Sequence, residues 1–111
     1  MSYITQLEDQ QADERLRVER RDAILRLVDN PDFRKVIAEG FFVTDCARYV
    51  RESINPVLDK QAQADALSMA QAAGWLKQFL NVGIRMGDTA ANTLRELDEA
   101  LAEARVEEIN E

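Results

Sequence analysis

From Asp59 onward, apolar and small residues return at intervals of four and three without a slip. Positions 62, 66, 69, 73, 76, 80, 83, 87, 90, 94, 97, 101 and 104 carry Ala, Ala, Met, Ala, Leu, Leu, Gly, Gly, Ala, Leu, Leu, Leu and Ala. This is a heptad seam held over six repeats, as in a helix that packs lengthwise on another helix. Gly87-Asp88 offers a competing reading, a C-cap followed by an N-cap that folds the segment into a hairpin. Two helices joined by a turn have no reason to share one register, so a single helix is favoured. It measures about 63 Å from residue 62 to 104, with a bend at Gly87 left open. Its apolar face is broad where Trp75, Phe79, Val82 and Met86 run beside the seam. Beyond Thr89 the face narrows to Leu94, Leu97 and Leu101.

Upstream, Thr5-Gln6-Leu7-Glu8 has capping-box spacing and predicts a helix from Thr5 to Val28. Between Glu8 and Arg15 only Ala12 is apolar, so this half is expected to project, supported by the pairs Asp13–Arg17 and Asp22–Arg26. Leu16, Ile24, Leu27 and Val28 form a stripe that must pack. Asn30-Pro31-Asp32 reads as a cap, a first-turn proline and a dipole-favoured acid. A short helix with Phe33, Val36 and Ile37 on one face should run to Glu39 and close on a left-handed Gly40. Phe41, Phe42 and Val43 then belong in the core. A second short helix runs from Thr44 to Ile54, with Ala47, Val50 and Ile54 inward, and Asn55-Pro56 ends it.

The predicted fold is therefore all-α: an N-terminal helix (1–28), two short central helices (29–58) and a long heptad-patterned helix (59–111), within one elongated domain. Its core should centre on Phe33, Ile37, Phe41, Phe42, Val50, Trp75, Phe79 and Leu80, with 5–15 and 88–111 projecting.

Composition narrows the chemistry. Of 111 residues 46% are apolar, but only 6% are aromatic, with four glycines and two prolines, which argues against an all-β fold. There is no histidine, which removes most metal sites, imidazole acid–base catalysis and histidine-activated nucleophiles. The carboxylates lie among Gln, Arg and other acids on faces expected to be exposed, where no pair of pKa values is driven apart. No glycine-rich phosphate loop occurs, so neither enzyme activity nor a cofactor or metal is expected. Gly83-x-x-x-Gly87 matches the close-approach motif of membrane helices; in water it marks tight backbone packing or a hinge. Cys46 is a lone thiol in a helical stretch, expected to serve as a small buried hydrophobe in a reducing compartment. The opening residues Met1 to Gln6 carry no leader pattern, and no apolar run approaches the ~20 residues of a membrane span.

Charge changes the picture further. The net charge is −7, and residues 88–111 hold eight acidic against two basic side chains. The arginines from Arg15 to Arg26 alternate with acids, so direct nucleic-acid binding is not expected. Outside the narrow seam stand Glu96, Glu99, Glu103 and Glu107, the last three spaced at i,i+4 without a basic partner, which weakens a lone helix. Such a segment calls for a partner helix. Leu94, Leu97 and Leu101, with those four glutamates, form the candidate interaction site. A glutamate at Leu97 should then harm association more than folding, and one at Phe42 or Trp75 folding itself.

The stretch Asp29-Asn30-Pro31-Asp32-Phe33 through Gly40-Phe41-Phe42, followed by a long Leu/Ala/Glu helix with an acidic end, resembles small helical proteins encoded among the structural genes of tailed bacteriophages. The resemblance implies a non-enzymatic role in assembly at a capsid, portal or neck, through self-association or docking on that larger particle, in the host cytoplasm or the virion. It carries over no functional residue. The alternative is an acidic regulatory binder, or nucleic-acid mimic, that occludes a basic protein surface.

Overall fold

The computed structural model describes residues 2–110; Met1 and Glu111, the last member of the acidic end, lie outside the described residues. The described chain is all-α. Its elements are α1 (Tyr3–Asp29), α2 (Pro31–Phe33), a π-helix termed π1 (Arg34–Asp45), α3 (Cys46–Ser53) and α4 (Lys60–Asn110).

Caps set the boundaries. The α1 start lies earlier than the Thr5 capping box: the Ser2 hydroxyl accepts from the Thr5 amide at 3.1 Å and lies 2.8 Å from the Thr5 hydroxyl. Serine in front of three orphan amides suffices, and Thr5 becomes an interior helical residue. Asn30 caps as expected, its Oδ1 accepting from the amides of Asp32 at 2.9 Å and Phe33 at 3.1 Å, with Pro31 in the first turn. Asn30→Ala is expected to cost about 1 kcal/mol, read as a lowered thermal midpoint. After α3, Asn55 Oδ1 accepts from the Val57 amide at 3.0 Å, and Asp59 Oδ1 caps α4 through the Ala62 amide at 2.7 Å.

α4 runs as one helix of 51 residues, so Gly87-Asp88 forms no turn. The centre of the chain corrects the expectation for Gly40. No described glycine has a positive φ, and helix continues from Pro31 through Ser53 without a break. Over π1 the carbonyls are met from five residues on: the Cys46 amide donates to Phe41, and the Thr44 hydroxyl donates to Glu39 at 3.2 Å. A π-helix brings residues four and five apart onto one face. That spacing fits the half-buried set Phe33, Ile37, Phe41, Phe42 and Cys46.

The chain divides into two compact units, one of residues 1–24 and 82–111, the other of residues 25–81. In the first, the ends of α1 and α4 pair antiparallel, Leu7 lying with Leu97, Leu101 and Ala104 and Ile24 lying against Gly83. In the second, the only buried hydrophobics are Ala66, Ala73 and Leu80 of α4. Leu80 is where the sequence put it. Val50, Trp75 and Phe79 are not core; all three are exposed. Phe33, Ile37, Phe41 and Phe42 are half-buried, and the Phe41 and Phe42 rings sit 6.1 Å apart and tilted by 37°. Cys46 is half-buried, its Sγ 3.8 Å from the Ala70 carbonyl.

Candidate helix-docking surfaces

In the first unit, the α4 seam is occupied by α1. Leu97 and Leu101 are buried, and Leu94 is half-buried. Leu7 completes their cluster with Ala104, and Ile4 and Ala100 pack beside it. The expectation that residues 5–15 project and that Leu94, Leu97 and Leu101 stand without a partner is therefore corrected: the missing helix is α1 of the same chain. The residues of α1 that turn inward are Ile4, Leu7, Gln11, Glu14, Val18, Arg21 and Ile24. Their spacing of three and four matches α4, but three of the seven are polar. That polarity hid the seam from a reading of hydrophobic positions alone.

Polar contacts fix the register of the pair. Gln11 donates to Asp98, Arg21 reaches Asp88 at 3.0 Å, and Arg105 reaches Glu8 at 3.4 Å. Arg21 also holds Asp22 at 3.1 Å, and the guanidinium is kept above its ordinary pKa chiefly by the hydrogen bond to Asp22, then by that to Asp88. Arg17 pairs with Glu14 at 3.3 Å, in place of the expected Asp13, and Asp22 pairs with Arg21 in place of Arg26.

Gly83 and Gly87 are the points of closest approach. A Cβ on Gly83 would run into Ile24 Cδ1, and one on Gly87 would meet the Arg21 side chain from its Cβ outward. The Gly-x-x-x-Gly spacing thus marks backbone packing, one of the two readings offered by the sequence. The large side chains of α1 sit over missing side chains of α4, which lets the helices approach.

Glu96, Glu99, Glu103 and Glu107 are exposed, and among the described residues none of the four forms an ion pair. Beside the seam, an open groove of about 380 Å³ runs along Val82, Met86, Ala90 and Thr93, with Arg17 and Arg85 at its edges. Among the described residues, no three metal-ligating side chains converge, and no helix is long and apolar enough to cross a membrane.

The second unit carries the larger apolar display. Trp75 is 69% exposed and Phe79 59% exposed, one turn apart on α4. Val36, Val43 and Val50 are exposed on the central helix, and Ile54 and Val57 in the turns just after it. α2, π1 and α3 contain no buried residue. The sequence marked all these positions as apolar, but assigned Val43, Val50, Ile54, Trp75 and Phe79 to the interior because nothing in their spacing distinguishes a core stripe from an uncovered one.

Comparison with known protein families, curated proteins and solved structures finds no match to this chain.

Proposed function

We propose that the protein is a non-enzymatic assembly component that works by helix docking, associating with copies of itself and with a larger protein particle such as a phage capsid or portal. The carrying observation is the unit of residues 25–81. It buries only two alanines and one leucine, yet leaves Trp75, Phe79, four valines and one isoleucine exposed. Isolated surface apolar residues are ordinary, but aromatic and branched side chains gathered on so small a unit mark an interface. The resemblance to phage structural proteins supports a virion as the larger particle, and such a component acts in the host cytoplasm during assembly or within the particle.

The test is sedimentation of the full chain. Association that grows with concentration through the micromolar range is expected, and it should survive high salt because apolar burial drives it. A monodisperse monomer throughout would overturn the reading. The second reading, an acidic binder of a basic surface, is favoured by the exposed Glu96, Glu99, Glu103 and Glu107, none of which forms an ion pair among the described residues. It calls for the opposite salt response, with binding lost between low and moderate ionic strength.

A further inference from the structure

The antiparallel pair of the first unit is built unevenly along its length. Over residues 18–24 of α1 the two helices interlock. Ile24 is buried, and Gly83 and Gly87 leave no room for a Cβ beneath Ile24 and Arg21. The Arg21 side chain is only 21% exposed and bridges to Asp88 at 3.0 Å. Parting the helices here forfeits a close-packed fit.

The first half of α1 has no such fit. Between residues 3 and 17 the inward positions are Ile4, Leu7, Gln11 and Glu14. The two apolar ones sit together at the far end, Leu7 buried with Leu97, Leu101 and Ala104 and Ile4 packed beside them. The register that sets Leu7 with Leu101 and Arg21 with Gly87 brings Gln11 level with Leu97 and Glu14 level with Leu94. A leucine opposite a polar side chain gains less from burial than one opposite another leucine. Gln11 donates to Asp98 at the surface. Glu14 pairs with Arg17 of its own helix and, among the described residues, takes no hydrogen bond from α4. The open groove of about 380 Å³ lies at this level, with Glu14 and Arg17 on one bank and Ala90 and Thr93 on the other. The remaining tie, Glu8–Arg105 at 3.4 Å, joins two side chains that are each at least half exposed, and such pairs add little.

A segment anchored by one apolar cluster at its tip, with polar contacts and open space behind it, opens at a lower free energy than the whole pair. Once lifted, it does not persist as a helix, because isolated helices of about 15 residues or fewer are marginal in water. Release therefore unwinds the segment as well as removing the cover from α4.

We propose that residues 3–17 of α1 form a strap that lifts from α4 while residues 18–24 stay seated, uncovering Leu94, Leu97, Leu101 and Ala104. The leucine seam is then an apolar surface held in reserve, covered in the closed chain and open in a minor state. The strap stands on the first unit alone, whereas the assembly reading stands on residues 25–81, so either can fail without the other.

The experiment is native-state hydrogen exchange of the full chain, comparing the wild type, Leu7→Ala and the double variant Gln11→Leu/Glu14→Leu. In the wild type, amides of residues 7–17 are expected to exchange about tenfold faster, or more, than those of residues 18–24. Leu7→Ala removes the anchor at the tip and should speed strap exchange about thirtyfold or more, with residues 18–24 unchanged. The double variant sets leucine against leucine and should slow strap exchange about tenfold. Uncovering of the seam is read separately, from the labelling rate of the thiol in Ala104→Cys on a Cys46→Ala background. That rate should rise with Leu7→Ala and fall with the double variant. Equal protection of residues 7–17 and 18–24 in the wild type would overturn the strap. So would Leu7→Ala freeing both segments alike, since the pair would then open as one body, or strap exchange unmoved by either variant. Strap exchange that shifts as expected while Ala104→Cys labelling stays constant would overturn the uncovering of the seam.

Discussion

Leu101→Glu is expected to destabilise the α1–α4 pair by about 3–5 kcal/mol, while Trp75→Glu leaves the fold standing and weakens association. Leu101 is 2% exposed and sits with Leu7, Leu97 and Ala104 where α1 closes over the end of α4. A carboxylate there loses its water, and no basic group is within the cluster to receive it. The pair has one thin apolar layer at this level, so the charge parts the helices rather than being absorbed. Leu97→Glu should behave in the same way. Trp75 is the opposite case: most of its ring already faces solvent, so a glutamate removes docking area without stranding a buried charge. This reverses the expectation drawn from sequence, in which Leu97 was a docking residue and Trp75 a core residue. Urea melts of the full chain, set beside sedimentation, separate the two effects. Equal loss of stability in Leu101→Glu and Trp75→Glu would show that the exposed aromatics are covered in the free chain.

The reversal has a specific cause. The seam of α4 was legible position by position: of its 13 members, only Met69 is exposed. Apolar periodicity carries that much, because a helix buried along one line must keep its small and apolar residues on that line. Which helix covers the line is a different question. α1 answers it with Gln11, Glu14 and Arg21 at inward positions; Gln11 and Arg21 reach Asp98 and Asp88 of α4, while Glu14 pairs with Arg17 of α1 itself. Without those contacts visible, the polar half of α1 reads as a projecting helix and the leucines of α4 as unpaired. Gly40 was misread for a related reason. A glycine before three apolar residues resembles a helix stop, and only the four-and-five spacing of Phe33, Ile37, Phe42 and Cys46 signals that the helix widens instead of ending. Glu96, Glu99, Glu103 and Glu107 do stand exposed outside the seam, as their positions in the repeat predicted.

Gly87→Ala and Gly74→Ala are expected to move stability in opposite directions, although both replace a glycine within α4. In an exposed helix, alanine is favoured over glycine by about 1 kcal/mol because it restricts the unfolded chain and costs no rotamer freedom. Gly74 is exposed, and a Cβ there meets nothing within 4 Å, so this variant should gain that amount. At Gly87 the same Cβ would overlap Arg21 Cβ and stand 2.8 Å from its Cγ and Cδ. Cβ is fixed to the backbone, so rotation of the arginine cannot clear it; α1 must move off α4. That movement loosens the Arg21–Asp88 bridge and the Ile24 contact one turn away, and overpacking of this kind costs about 1–3 kcal/mol, more than alanine returns. Gly83→Ala lies between them, because its obstacle is Ile24 Cδ1, the free end of a side chain that can turn aside. Thermal melts of the full chain should therefore rank Gly74→Ala above the wild type, Gly83→Ala near it and Gly87→Ala below it. If Gly87→Ala melted as high as Gly74→Ala, the close approach of α1 to α4 at Arg21 would be wrong, and Gly83-x-x-x-Gly87 would be only a flexible stretch of the long helix.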